Sequence, residues 1–148
     1  MLRVPPIKTM SAQFILNNWY LFAGIVVVLV MLLAPTLMQR LYGIRQLPVP
    51  QAVQLVNRDS ATFLDVREPK EFSAGHIPDA LHIPLAQLGK RLPELERYRT
   101  APLIVYCRSG QRSGRGAVML RRRGFSVVHN LAGGINAWQG QNLPLRKG

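Results

Sequence analysis

Hydrophobic and polar residues follow two different patterns along the chain. No charged residue occurs between Lys8 and Arg40, and the stretch from Trp19 to Leu33 is apolar apart from Gly24. From about residue 48 onward, short apolar runs alternate with amphipathic stretches that contain charged residues. The first pattern predicts one long apolar helix, and the second predicts a globular domain of alternating strands and helices.

The apolar stretch has the length of a membrane span. As a helix, residues 19–38 would extend about 30 Å, which matches the hydrocarbon thickness of a bilayer. Trp19 and Tyr20 lie at one end and Tyr42 lies just past the other, where interfacial aromatic residues are expected. A cleaved signal peptide would have a shorter apolar core and a small-residue cleavage site. We therefore expect an N-terminal tail (residues 1–18) and a transmembrane helix (19–38).

The charges around this stretch suggest an orientation. Arg3 and Lys8 precede it, whereas Arg40, Arg45 and Arg58 follow it. Basic residues accumulate on the cytoplasmic side of a membrane, so the pattern favours a cytoplasmic globular domain. A free thiol favours the same side, because oxidising compartments favour paired cysteines. The predicted location is a bacterial inner membrane, with a single pass.

The rest of the chain predicts a doubly wound α/β domain. We expect a linker over residues 39–47 and a domain over 48–146, with a parallel sheet and helices on both of its faces. The predicted strands are residues 61–66, 80–83, 103–106 and 127–129. The predicted helices are residues 51–58, 68–73, 85–95, 110–123 and 134–139.

Charge and cysteine content narrow the classes of function. The formal net charge is +12, from 19 Lys and Arg against 7 Asp and Glu. Such a charge favours binding to phospholipid head groups, nucleic acid or small oxyanions. No nucleic-acid-binding motif is recognisable, so nucleic acid is not an expected partner. The single cysteine, Cys107, excludes an intramolecular disulfide and a site built from several cysteines.

The densest candidate chemistry follows the predicted strand at residues 103–106. The strand ends at a short polar loop and a helix start, whose residues are Cys107, Arg108, Ser109, Gly110, Gln111, Arg112 and Ser113. Ligands of parallel α/β sheets bind beyond the carboxyl ends of the strands. Loop N–H groups and a helix N-terminus at that edge attract anions and favour a thiolate. A buried cysteine in an ordinary strand-to-helix turn is the alternative interpretation.

Three stretches resemble the rhodanese family of sulfurtransferases. The loop CRSGQRS, from Cys107 to Ser113, resembles the active-site loop of single-domain rhodaneses. The run LDVREPKEFSAGHIP, from residue 64 to 78, resembles the first signature of the family, and LAGGINAW, from residue 131 to 138, resembles the last. The resemblance covers about residues 47–145. One anchor followed by one such domain also resembles small bacterial membrane-bound rhodaneses.

The resemblance implies a mechanism and roles for several residues. The Cys107 thiolate would take the outer sulfur of a donor such as thiosulfate, and a thiol acceptor would then remove it. Backbone N–H groups from Arg108 to Arg112 would hold the persulfide anion, while the two arginine side chains attract the donor. No cofactor or metal is implied. The residues that support the loop from the neighbouring strand and helix would be Asp65, Arg67 and Glu71, with Glu71 pairing with Arg67.

Two other functions are compatible with the sequence. The domain could be a tethered binding module that docks a membrane protein partner, with little catalysis of its own. A phosphatase or arsenate reductase is a third interpretation, although the related phosphatases have a loop one residue longer. Two residues also depart from the family pattern: Asp79, where glycine is frequent, and His82, where asparagine is frequent. Both lie outside the cysteine loop.

Overall fold

The computed structural model describes residues 12–148. The chain divides into two compact units, with the boundary between Ala34 and Pro35. Helix α1 (Ala12–Asn17) lies within the predicted tail 1–18, whose residues 1–11 are outside the described part. Helix α2 (Trp19–Leu41) contains the predicted span 19–38 and has no buried residue. By length and composition, α2 is able to cross a membrane.

The second unit contains a five-stranded parallel sheet. The strands are β1 (Arg45–Leu47), β2 (Thr62–Asp65), β3 (Leu81–His82), β4 (Leu103–Tyr106) and β5 (Val128–Leu131). Their order in the sheet is β1-β5-β4-β2-β3, and every pairing is parallel. The helices are α3 (Val49–Asp59), α4 (Pro69–Ala74), α5 (Leu85–Leu88), α6 (Gln111–Arg122) and α7 (Gly134–Gly140), with a 3-10 helix over Leu92–Tyr98.

The central strand β4 separates two hydrophobic cores. Leu103 and Val105 face a core that includes residues of α5 and α6, whereas Ile104 and Tyr106 face a core that includes residues of α3 and α7. All four side chains are fully buried, as expected for a parallel strand covered on both faces. This confirms the predicted parallel sheet with helices on both faces.

The segment between the apolar helix and the domain differs from the predicted linker over residues 39–47. Helix α2 continues to Leu41, and Arg45–Leu47 form the edge strand β1, paired in register with β5. A three-residue edge strand is too short to show an alternation of apolar and polar residues, so the sequence pattern did not predict it. The predicted helix 85–95 also differs, because it is divided into α5 and the 3-10 helix.

Candidate functional site

Cys107 lies where the central strand ends and the polar loop begins. It directly follows β4, and only 1% of its surface is exposed. Its sulfur lies 3.1 Å from the backbone nitrogen of Gly110 and 3.3 Å from the hydroxyl oxygen of Ser113. The site is therefore at the carboxyl edge of the sheet, as the strand-to-helix pattern predicted.

The backbone of Gly110 lets the loop turn its N–H group toward the sulfur. Gly110 has a φ of +98°, a conformation that residues with a Cβ rarely adopt, and it directly precedes α6. Because of this turn, the Gly110 N–H donates to Sγ of Cys107 rather than pointing to solvent. The glycine thus has a geometric role in the loop.

The start of α7 supports the same loop from the other side. The N–H of Ile135 donates to the carbonyl of Cys107 at 2.9 Å, and the N–H of Asn136 donates to the carbonyl of Arg108 at 3.2 Å. Gly134, with a φ of +59°, lies so close that a Cβ there would overlap the carbonyl of Cys107. The carbonyls of Cys107 and Arg108 are therefore hydrogen-bonded to the start of α7.

The pKa of Cys107 lies below the ordinary value of a thiol. Burial raises the pKa of this thiol, but several hydrogen bonds to the sulfur outweigh that effect. They come from the Ser113 hydroxyl and from the N–H groups of Ser113, Gly110 and Ser109. Hydrogen bonds to the anionic form stabilise it, so the surroundings of Cys107 favour a thiolate.

Ser113 lies between the sulfur and a residue that the sequence analysis did not identify. Its hydroxyl oxygen is 2.6 Å from Oδ1 of the buried Asn130 as well as 3.3 Å from Sγ. A hydroxyl has one proton, so it can donate to only one of these acceptors at a time. When Cys107 is a thiolate, rotation of this proton toward sulfur stabilises the charge. Asn130 follows another polar residue, His129, in the short strand β5, so the sequence pattern did not single it out.

Asp65 and Arg67 form a buried ion pair beside the loop. Nε of Arg67 donates to Oδ1 of Asp65 at 3.0 Å, and Nη2 donates to Oδ2 at 2.6 Å. Nη2 also donates to the carbonyl of Gly75 at 2.8 Å, which ties β2 to the end of α4. The predicted pairing of Arg67 with Glu71 is wrong, because Asp65 already occupies this guanidinium group.

Glu71 pairs instead with Arg112. Both carboxylate oxygens of Glu71 accept from the guanidinium group of Arg112 at 2.8 Å, which joins α4 to the first turn of α6. The hydrogen bond from Arg112 is the main reason why the pKa of Glu71 falls to about 2. The positive charge of Arg112 is therefore already balanced, although the sequence had predicted that this side chain attracts the donor.

Arg108 is in a different position from Arg112. Its side chain is exposed, and within residues 12–148 it makes no ion pair. It lines a cavity of about 260 Å³. Polar residues on the walls of this cavity include Arg67, Glu71, Asn136 and Gln139. Arg108 is therefore a cation without a carboxylate partner in the described part of the chain, at the residue that follows Cys107.

The remaining candidate residues have peripheral positions. Ser109 and Gln111 are exposed at the loop. Nδ1 of His76 lies 3.1 Å from the carbonyl of Phe72, and Nε2 of His82 lies 2.9 Å from the carbonyl of Arg67, so both rings contact backbone. Asp79 has a φ of +62°, which explains why a glycine would suit this turn.

No metal site is evident in the described part of the chain. Among residues 12–148, no group of three or more His, Cys, Asp or Glu side chains is placed to hold an ion.

Comparisons with known proteins identify relatives. The uncharacterized protein YqhL of Bacillus subtilis is 44% identical over 55% of this chain, and the match spans 63% of YqhL. A protein named sulfurtransferase from Allochromatium vinosum is 37% identical over 62% of this chain and 84% of its own length. The uncharacterized protein YibN of Escherichia coli K12 is 28% identical over 92% of this chain and 96% of its own length.

A solved structure and a family model agree with these relatives. The crystal structure of a rhodanese-related protein from Thermoplasma volcanium has a TM-score of 0.63 and 28% identity, covering 69% of this chain and 97% of that protein. The model of the rhodanese-like domain matches residues 49–141, which include the whole cysteine loop. The chain therefore belongs to the rhodanese-like domain family.

Proposed function

We propose that this protein is a membrane-anchored sulfurtransferase that carries sulfane sulfur as a persulfide on Cys107. The observation that carries the proposal is the lowered pKa of Cys107 in a loop whose Gly110 N–H and Ser113 hydroxyl lie within 3.3 Å of the sulfur. Relatives named sulfurtransferase support sulfur transfer as the general activity.

In the first step, the Cys107 thiolate attacks the sulfane sulfur of a donor such as thiosulfate. A new S–S bond forms at Cys107, the S–S bond of thiosulfate breaks, and sulfite leaves with the electron pair. The negative charge is then on the outer sulfur of the persulfide. Loop N–H groups beside the thiolate, such as that of Gly110, would stabilise this charge.

In the second step, a thiophilic acceptor attacks the outer sulfur. The S–S bond at Cys107 breaks, and the cysteine leaves as a thiolate, which the same hydrogen bonds stabilise. A small thiol, a protein thiol or, in the laboratory, cyanide meets this chemical requirement. No redox cofactor is needed, because the sulfur passes from one nucleophile to another and Cys107 ends as the thiolate with which it began.

Arg108 is the side chain that we assign to the donor's oxyanion. Arg112 donates both of its short hydrogen bonds to Glu71, whereas Arg108 is exposed, lines the 260 Å³ cavity and makes no ion pair within the described residues. A free guanidinium group binds an oxyanion better than one whose charge is balanced. The role of Arg112 is then to fix the loop against α4.

The anchor places this chemistry at a membrane. Helix α2 has 23 residues, is predominantly apolar and has no buried residue. Exposed apolar side chains of this number are stable in a bilayer and not in water. We infer a single-pass protein whose domain works in the cytoplasm, where free thiols persist. The full chain should stay in the membrane pellet after an alkaline carbonate wash, and its release would contradict the anchor.

The catalytic part is tested by cyanide-dependent turnover of thiosulfate with the full chain in detergent. Cys107→Ser should abolish turnover. Arg108→Ala should raise KM for thiosulfate about threefold to tenfold, because one charge-assisted hydrogen bond at an exposed position is lost. Arg115→Ala, an exposed arginine of α6, is the matched control and should leave KM unchanged. Turnover by Cys107→Ser would refute the proposed function. An unchanged KM in Arg108→Ala would refute the assignment of Arg108 to the oxyanion of the donor.

A further inference from the structure

Asn130 lies at the centre of a polar cluster behind Cys107. It is in β5, beside the strand that ends at the cysteine, and only 1% of it is exposed. Its Oδ1 accepts from Ser113 at 2.6 Å, and its Nδ2 donates to the carbonyl of Gly110 at 2.8 Å. Asn130 therefore contacts Gly110 and Ser113, two of the residues whose hydrogen bonds reach the sulfur of Cys107.

The cluster continues from Asn130 to the end of the apolar helix. The second proton of Nδ2 goes to Oε1 of Gln46, a residue of β1, at 3.0 Å. Nε2 of Gln46 then donates to Oε1 of Gln39, in the last part of α2, at 2.5 Å. Gln39 also packs against the first turn of α6, because a Cβ at Gly114 would lie 2.8 Å from its Cδ.

These hydrogen bonds fix the orientation of the Asn130 amide. Its nitrogen has two carbonyl acceptors, on Gly110 and Gln46, so the oxygen must face Ser113. A flipped amide would place its nitrogen against the hydroxyl and its oxygen against two other oxygens. Only the observed orientation satisfies the acceptors on Gly110 and Gln46, and it leaves Oδ1 as the acceptor that faces the Ser113 hydroxyl.

We propose that Asn130 is a positioning residue for Cys107, and that Gln46 and Gln39 extend this support to the end of the apolar helix. Asn130 holds the Gly110 turn through the Gly110 carbonyl, so that the Gly110 N–H donates to the thiolate. It also holds the Ser113 hydroxyl oxygen 3.3 Å from the sulfur, where the hydroxyl proton is shared between Oδ1 and Sγ. The contribution of Gln46 is smaller, because its side chain is exposed and water can replace it in part. The end of α2 is then part of the support of the site as well as part of a tether.

Charged groups near the sulfur stay unchanged in the variants that test this proposal. Arg112 of α6 is close enough to interact with Cys107, and it is paired with Glu71 of α4. Arg108 lies in the loop itself, and the residues of α5 and β4 that pack around Cys107 are apolar. A shift in the reactivity of Cys107 in Asn130 or Gln46 variants would therefore come from the hydrogen bonds.

The experiment measures the pH profile of Cys107 alkylation in the full chain in detergent, since this is the only thiol. Asn130→Leu should move the midpoint to higher pH and slow alkylation at pH 7 about tenfold. Gln46→Leu should slow it about twofold to threefold. In the double variant, Gln46→Leu should add nothing, because its route to the sulfur runs through Asn130. Gln141→Leu, an exposed glutamine after α7, is the control.

The outcomes separate positioning from a general loss of stability. A lower thermal midpoint with an unchanged alkylation profile in Asn130→Leu would overturn the proposal, as would additive effects in the double variant. If Asn130→Leu does not fold, Gln46→Leu provides the test. An alkylation profile of Gln46→Leu equal to that of Gln141→Leu would then refute the link from Cys107 to β1. Alkylation needs no sulfur donor, so failure of persulfide formation would count against the proposed function and not against this inference.

Discussion

Gly134→Ala tests whether the start of α7 holds the cysteine loop in place. Gly134 has a φ of +59°, and a Cβ at this position would lie 2.7 Å from the carbonyl carbon of Arg108 and closer still to the carbonyl oxygen of Cys107. Both neighbours are backbone atoms of the loop, so no change of rotamer relieves the overlap. Either the loop or α7 has to move.

The expected cost follows from three contributions. A residue with a Cβ in the left-handed region costs about 1 kcal/mol. Overpacking against backbone costs roughly 1–3 kcal/mol. Separation of α7 from the loop removes the hydrogen bonds from Ile135 and Asn136, each worth about 1 kcal/mol. Because the contributions overlap, we expect Gly134→Ala to lower the free energy of unfolding by about 3–5 kcal/mol, or the thermal midpoint by about 10 °C or more.

Gly140→Ala provides a matched control at the other end of the same helix. A Cβ at Gly140 would meet nothing within 4 Å, and the substitution should be neutral or slightly stabilising. The assay is thermal unfolding of both variants in detergent, followed by circular dichroism, together with the alkylation rate of Cys107. Equal midpoints for Gly134→Ala and Gly140→Ala would refute the idea that α7 holds the loop.

Three further changes have defined outcomes. Ser113→Ala should slow alkylation of Cys107 at pH 7 about tenfold, because the thiolate loses one charge-assisted hydrogen bond, and an unchanged rate would contradict the role of this hydroxyl. The folded pKa of Glu71 is about 2, so its pairing with Arg112 contributes fully above about pH 4.5 and is lost as the pH falls through 2. Glu71→Gln should therefore cost about 1 kcal/mol of unfolding free energy at pH 7 and progressively less as the pH falls from about 4.5 through 2, and a cost independent of pH would be inconsistent with the ion pair. Leu29→Arg in the middle of α2 should cost about 3 kcal/mol of insertion free energy and reduce the fraction recovered in the membrane pellet.

The sequence was most informative where local patterns decide the structure. The apolar run at β4, the polar loop after it and the glycine at its turn predict a strand, an anion-binding loop and a helix start from neighbouring residues alone. The position of Cys107 at the carboxyl edge of the sheet follows from that order. The apolar helix was equally clear, since its length and lack of charge need no tertiary information.

Contacts between residues far apart in the chain were beyond such reasoning. Arg67 and Glu71 are neighbours in sequence, yet Arg67 is occupied by Asp65, and Glu71 pairs with Arg112, 41 residues away. Gln46 and Asn130 are separated by 84 residues and meet only because β1 pairs with β5. Strand order across a sheet is set by the packing of the whole domain, so these partners could not be read from local pattern.

The central claim is that Cys107 carries sulfur, and the intact mass of the full chain after incubation with thiosulfate tests it most directly. The account predicts a gain of one sulfur atom, which cyanide reverses and which Cys107→Ser does not show. An unchanged mass with thiosulfate and with a persulfide donor, while Cys107 remains free for alkylation, would contradict the account.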